Sequence, residues 1–399
     1  MSRKTKKVGS RTALPMLLNY SLQNIKAMNL DQINHLALVG RLTLNLASLN
    51  NEGSEGNALQ PRTATVVLDG KLYSVPVISG DMLKHWHAKH LSAIAQERGL
   101  PLSRNADRRN PNPNRIKSEL ADYQWIESKI NNLQIQQDRK PDLRGIGTNP
   151  NNQKNQLQKI EINKLEQALY ALVASECAVT DAHGLLITEV APEDEGSKAF
   201  NCAVAVARTS RVQVGFMTGV PRQSMTEHFF HAKYVSSRTG IQARETASGE
   251  GQNIFTRPAT SAAFAMVAAI DLAGLGFDDA KNEYAVTDEG ERRKRKQAVI
   301  DALSYTLMNQ PGAISSQQFP HIMDFEGAIV TSSTNCPAPT VSAMKDNYLD
   351  TLEQLVRTAN RMNGNRNAIV CHKVQGIAAA VELLTELAHG EGLETLIAA

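Results

Sequence analysis

The chain has 399 residues, 42% of them hydrophobic and 21% charged, which suits a globular fold of one large or two ordinary domains. It has no run of about eighteen apolar residues, which argues against a membrane span. Its 43 Lys+Arg against 40 Asp+Glu, a net charge of +3, are too even for bulk charge to establish a nucleic-acid partner.

Residues 1–30 read as a basic arm; MSRKTKKVGSRTALPMLLNYS lacks the apolar core and cleavage site of a signal peptide. HLALVGRLTLNLASL (35–49) keeps a period of two through Leu36, Leu38, Leu42, Leu44 and Leu46, which predicts a strand with a bulge or close approach at Gly40. The Gly-, Asn- and Ser-rich NNEGSEGN that follows reads as a loop. TATVVLDGKLYSVPVI predicts a hairpin turning at Asp69-Gly70, and a helix runs from about Asp81 to Gly99.

From Leu102 to about Gln158 the chain is crowded with Asn, Gln, Pro and Arg, as in an insertion that is partly disordered or orders with a partner. Residues 164–176 follow a helical pattern, CAVTDAHGLLIT has strand character, and 190–200 is a loop. ARTSRVQVGFMTGV (207–220) is a strand or hairpin arm. SAAFAMVAAIDLAG is a buried strand or helix, which periodicity does not separate. A helix with a basic first turn covers 291–309, a late strand FEGAIVTSST, and helices 345–362 and 375–398. Strands mixed with helices in no regular rhythm predict an α+β fold.

Four cysteines, Cys177, Cys202, Cys336 and Cys371, show no CxxC spacing. That argues against a zinc ribbon or disulfide scaffold and fits a reducing cytoplasm. Cys371-His372 reads as a buried thiol beside a surface histidine.

VISGDMLKHWHAKH (77–90) holds three histidines. A helix turns about 100° per residue, so His85 and His87 diverge. His87 and His90 lack the spacing of four and the intervening glutamate of a metal pair, so no metal is expected. The spacing predicts an exposed face of Lys84, His87 and Lys89 and a packed face of Met82, Leu83 and Trp86. Ser79-Gly80-Asp81 opens the helix: Ser79 or Asp81 caps it, Gly80 leaves backbone accessible, and free N–H groups beside Lys84 suit a phosphate. Glycines of NNEGSEGN, with Arg62 beyond, would let backbone approach a phosphate chain; an ordinary surface loop is the equal alternative. Neither GxxxxGK[ST] nor GxGxxG occurs, so no nucleotide cofactor is expected. Arg292–Lys296 reads as a solvated helix start, with DNA contact as second choice.

LNNEGSEGNALQPRTATVVLDGKLYSVPVISGDMLKHWHAKHL, then CAVTDAHGLLIT, ARTSRVQVGFM, GQNIF and ALSYTLMNQPGAISSQQFPHI, resemble in order the backbone subunit of type I CRISPR surveillance complexes (Cascade). The closest branch is the DevR-like one of subtypes I-A and I-B, in the RAMP superfamily. The resemblance covers roughly 35–340 and implies an RRM-like (ferredoxin-like) palm with finger and thumb insertions. Carried onto this chain, it implies a basic arm at 1–34, palm segments at 35–102, 161–190 and 258–345, an insertion at 103–160, a thumb-like hairpin at 191–257 and C-terminal helices at 346–399.

It further implies CRISPR RNA as ligand, a paired target DNA strand, copies of the chain in a helical filament and other Cascade subunits. Recruitment of a nuclease-helicase or a transposition protein stays open, and no membrane partner is implied. RNA contacts carried over are Asn50, Asn51, Gly53, Gly56, Asn57 and Arg62; Ser79, Gly80, Met82, Lys84 and His85; Arg208, Thr209, Ser210 and Arg211; Gln252 and Phe255; and Ser315, Ser316 and Gln317, in a loop that is neutral where relatives are basic. Arginine forks at Arg208 and Arg211 suit phosphate, with ion pairing to Glu193 or Glu195 as the alternative. Val212, Val214, Phe216 and Met217 are a thumb wedge or core packing. The palm lacks an RNP-type aromatic pair and would hold backbone, leaving sequence to base pairing.

Type III relatives cut RNA with an aspartate in the loop after the first strand. Here none lies between Asp31 and Asp69, and the loop's only acids are Glu52 and Glu55. The expectation is a non-catalytic subunit; the alternative is an RNA endonuclease of the superfamily, cutting target RNA or processing guides with a histidine base.

Overall fold

The computed structural model describes residues 30–49, 51–55, 58–103, 167, 170–187, 206–234, 252–310, 312–314, 316–364 and 366–390. The readings made for 1–29, for most of the 103–160 insertion and for 190–200 lie outside these residues.

The first strand forms as β1 (His35–Ala47). Leu36, Leu38, Leu42 and Leu44 enter one core, and Ala37 and Val39 enter a second on the opposite face. Each buried leucine contributes about 1.5–3 kcal/mol. Gly40 is a close approach and not a bulge: a Cβ there would lie 2.5 Å from the Phe325 ring, and pairing runs unbroken through it. The bulge comes later, between Leu44 and Ala47, where Leu46 adopts φ 53°.

The glycine-rich stretch is a small hairpin and not a plain loop, β2 (Asn51–Glu55) and β3 (Ala58–Pro61). β4 (Thr63–Leu68) and β5 (Lys71–Ile78) pair across Asp69 and Gly70, both at positive φ as a two-residue primed turn needs. α1 (Gly80–Glu97) starts at Ser79, whose hydroxyl accepts from the Met82 N–H at 3.3 Å, and stops before Gly99 at φ 65°.

CAVTDAHG is mainly helical, not a strand: after helical residues 170–176 comes α2 (Ala178–His183), wholly buried, and only β6 (Leu185–Ile187) is extended. Six residues are too few for periodicity to reveal a helix, and tertiary packing overrides the β-branched composition. β7 (Val206–Arg208), β8 (Val212–Val214), β9 (Met217–Tyr234) and β10 (Gln252–Asp271) follow, the last two as a long antiparallel arm. β11 (Phe277–Asp278) and β12 (Glu283–Tyr284) make a short ribbon before α3 (Glu289–Met308). β13 (His321–Ser332), α4 (Tyr348–Met362), β14 (Ile369–Gln375) and α5 (Ile377–His389) complete the described chain.

The main sheet runs β14-β13-β1-β10-β9-β5-β4. Within it, β1, α1, β9, β10, α3 and β13 trace β–α–β–β–α–β along the chain. Their strands lie in the order β13-β1-β10-β9, each antiparallel to its neighbour. Leu83, Trp86 and Leu91 of α1, Val299 and Leu303 of α3, and Leu384 and Leu387 of α5 fill the first core; Tyr348, Leu352 and Val356 of α4 fill the second. Arg41, on the α4 side of β1, reaches the Ala343 carbonyl at 2.7 Å and Asp346 at 2.8 Å. At the β14 rim the Asn360 side chain accepts from the Ile369 N–H at 3.0 Å and donates to its carbonyl at 2.7 Å.

The basic run at 292–296 is not a solvated face. Arg292 donates to the Val286 and Thr287 carbonyls, Arg293 pairs with Asp31, and the Arg295 side chain is 1% exposed and bound to Asp181 and Glu291. His372 is buried rather than at the surface, which lowers its pKa to about 4, and burial pushes the Cys371 thiol up to about 11.

Candidate nucleic-acid interface

The β1 bulge opens a crease. Beyond it the Ser48 carbonyl accepts from the Ala313 N–H at 2.9 Å, bringing residues 312–319 against the end of β1. The same loop meets β10: the Gln317 side chain accepts from Arg257, and the Gln318 side chain donates to the Pro258 carbonyl at 3.5 Å. β3 joins β10 next door, Ala58 opposite Thr256. Phe255 stacks on His231 across the arm at 5.5 Å, and the Arg257 guanidinium sits 4.7 Å over the Phe255 ring. Gly53, Ser316 and Gln317 are exposed around this cluster, and Arg62 is half-buried at its β4 side. Ser316, Gln317, Phe255, Gly53 and Arg62 are thus gathered near the base of the arm. Arg257, which sequence reasoning missed, lies two residues after Phe255 on the same strand face, so strand periodicity could have found it.

Asn50, Gly56, Asn57 and Ser315 lie outside the described residues; Asn51 begins β2 and Gln252 begins β10. The helix start is docked elsewhere. A Cβ at Gly80 would meet the Val214 carbonyl at 2.7 Å, so this glycine serves close packing on β8, not backbone access. Ser79 is 4% exposed and Met82 packs against the first core, leaving Lys84 and His85 half-exposed. Burial lowers the His85 pKa, and Lys89 adds to it. Gly215 beside this start donates to the Val267 carbonyl. Val267 lies eleven positions along β10 from Thr256, about 35 Å of extended strand, so the two groups of expected contacts occupy different levels of one long strand.

Arg208 departs from the expected fork. Its side chain is 0% exposed, and it donates to the Asp181 carboxylate and to the Gly274 and Phe277 carbonyls. Asp181, equally enclosed, also takes Arg295 at 2.9 Å and the Gly276 N–H at 2.7 Å. Arg211 pairs with Asp271 at 3.1 Å and Asp279 at 2.5 Å, partners other than Glu193 and Glu195. The Ser210 hydroxyl donates to the Val212 carbonyl at 2.6 Å, and Thr209 alone of the four is well exposed. This segment is a buried charge network that ties α2, β7 and α3 together. Of the expected wedge, Val212 and Met217 are core, whereas Phe216 is exposed; the other exposed apolar side chains of the arm are Met225, Phe229 and Phe230.

His87, expected on the exposed face, is 1% exposed. Its Nε2 lies 3.1 Å from the Val299 carbonyl, which only accepts, so Nε2 carries the proton and Nδ1 accepts from His183 Nε2 at 2.9 Å. Both rings are neutral. Burial lowers His87 to about 4 and takes His183 well below its ordinary value, the latter helped by His87 and Lys84. Among the described residues no group of three or more His, Cys, Asp or Glu is gathered as a metal would need, and no helix is long and apolar enough to cross a membrane.

Comparison with known proteins puts this mixed α/β chain, with its large antiparallel sheet, among the CRISPR-associated proteins. The particular family is the one described as CRISPR-associated negative auto-regulator DevR/Csa2: its model matches residues 38–353, and the chain belongs to it. The chain is 22% identical over 347 residues to the CRISPR-associated protein Cas7/Cst2/DevR of Thermoproteus tenax, covering 85% of this chain and 87% of that one. It is 25% identical over 337 residues to the CRISPR-associated aCascade subunit Cas7/Csa2 2 of Saccharolobus solfataricus, covering 82% and 88%. Among solved structures, a CRISPR RNA-guided surveillance complex, pre-nicking, holds a chain 13% identical with a TM-score of 0.36, over 83% of this chain and 87% of that one. Csc2 of Thermofilum pendens is 12% identical with a TM-score of 0.33, over 92% and 87%.

Proposed function

We propose that this chain is a non-catalytic, cytoplasmic CRISPR RNA-binding subunit. Copies line up along one guide with other Cascade subunits, forming a backbone that presents the guide to a target DNA strand. In this reading the β–α–β–β–α–β unit is an RRM-like (ferredoxin-like) palm, the β9–β10 arm is its thumb, and 103–160 belongs to a finger insertion. The ribose-phosphate strand runs from the crease, held by Gly53, Arg62, Phe255, Arg257, Ser316 and Gln317, toward Lys84 and His85. Arg208, Ser79 and Gly80 keep the frame that presents those groups.

The observation that carries the reading is the crease itself. In a chain of this family, a bulged strand end, a polar loop and an arginine resting on an aromatic ring converge at the foot of an exposed arm. Polar backbone-holding groups without a stacking platform suit a protein that accepts any guide sequence. The test is the double charge swap Arg257→Glu with Lys84→Glu. Guide RNA co-purifying per folded protein is expected to fall at least about tenfold, since each lost phosphate contact weakens binding and its salt dependence. An unchanged nucleic-acid content would sink the proposal.

A further inference from the structure

A cavity of about 350 Å³ opens at the amino end of α3, lined by Asp31, Tyr284, Glu289, Arg292, Arg293 and Lys296 among others. α3 has 20 residues, so this mouth is about 30 Å along the helix from the end that leads into the crease. The helix terminus is not the source of its character: Asp288 already accepts from the Gly290 N–H at 2.8 Å. The side chains are. Arg292 is fixed by the Val286 and Thr287 carbonyls at 2.7 and 2.9 Å and lies 4.2 Å over the Tyr284 ring. Arg293 meets Asp31 at 2.5 Å with both side chains partly in solvent. Glu289, 3.4 Å from Arg292, is 91% exposed and weakens in water. Lys296 has only the Ile33 carbonyl, at a long 3.4 Å; among the described residues no carboxylate lies within ion-pair distance of its Nζ.

Three cations therefore face two carboxylates, one of them in solvent. We propose that this cavity binds the phosphate group of a nucleotide between Arg293 and Lys296, whether that nucleotide belongs to a nucleic-acid strand or is free. A guanidinium fork and an ammonium suit phosphate oxygens, and the volume exceeds a bare phosphate, leaving room for the attached sugar. One face of Tyr284 is taken by Arg292, so the ring does not serve as a base platform on that side and recognition is indifferent to the base. The Lys296 ammonium fits this picture: burial lowers its pKa, Arg292 and Arg293 add to that, and Asp31 and Asp271 oppose it without reversing it. An incoming anion relieves the surplus charge.

The purified full-length protein is titrated calorimetrically with AMP, with a 5′-phosphorylated tetranucleotide, and with the same tetranucleotide lacking the phosphate. Wild type is expected to bind at least one phosphorylated probe. Arg293→Gln with Lys296→Gln is expected to weaken that binding at least about tenfold, and Lys296→Arg to retain it. Should the double variant not fold, Arg293→Gln alone, at a partly exposed position, gives the same comparison. Binding of AMP as tight as that of the oligonucleotide assigns a free nucleotide; a preference for the phosphorylated oligonucleotide assigns a strand. Equal binding of every probe by wild type and the folded variants, or no detectable binding by wild type, overturns the proposal.

Discussion

Asp181 holds two guanidiniums, those of Arg208 and Arg295, with all three side chains at most 1% exposed. Removing the shared anion leaves buried cations uncompensated. Asp181→Asn is therefore expected to cost about 3–5 kcal/mol of stability, measured as a fall in urea midpoint. Guide RNA retained per molecule still folded should be unchanged, because none of these groups faces the crease. The histidine pair gives the second residue-scale prediction. His87 and His183 have folded-state pKa values below the ordinary one, so the unfolded chain binds more protons as pH drops. Their contribution is fully present above about pH 6.5 and is lost as pH falls toward 4. Between pH 7.5 and 5 the urea midpoint should fall by the equivalent of about 2 kcal/mol or more, and His183→Phe should flatten that slope. Neither feature was legible in the sequence. A charged residue advertises its charge but not its partner, and Asp181 lies 27 positions from Arg208 and 114 from Arg295. Lys84, His87 and Lys89 looked like one solvated face because a helical pattern does not reveal that α2 and α3 cover it.

Elements with internal logic were easier to read. The alternation of β1, the Asp69-Gly70 turn and the capped start of α1 each rest on neighbours in sequence, and each formed where expected. β14 was missed because IVCHKVQ is bracketed by two helical patterns and its burial does not alternate cleanly. The arm was read only at its root. Its exposed side chains, Phe229 and Phe230 among them, lie farther out on β9, and Phe230 is 83% exposed. A strand carrying aromatic rings into solvent spends no core contacts on them. Phe229→Ser with Phe230→Ser should leave stability within about 0.5 kcal/mol. RNA affinity, by fluorescence anisotropy, should fall about tenfold, the order expected when base–aromatic contacts are removed.

For the molecule as a whole, family membership and the sheet order bear on assembly more than on chemistry. A subunit that holds only ribose-phosphate, and does so with one crease per copy, adds as many copies as the strand has room for. The mass of the reconstituted particle, by light scattering, should then rise in steps with the length of the RNA supplied, and the chain without RNA should stay small. A particle of fixed mass on RNAs of different length would contradict this. The order of the sequence blocks made the family visible before any coordinates, because blocks survive where single contacts drift. What the blocks did not carry was division of labour: Arg208 and Gly80 sit in them as framework, while Arg257, outside the residues first singled out, stands in the crease.

The amide of Asn360 pairs with both backbone groups of Ile369, imitating the next strand at one rim of the sheet. At the other rim β4 ends the order with no such stopper described. An unguarded rim is a template for foreign peptide, a guarded one is not. The molecule thus has a sealed border and an open one, and any misdirected zipping of crowded neighbours in a concentrated cell would begin on the β4 side, where a single proline or lysine ought to suppress clumping.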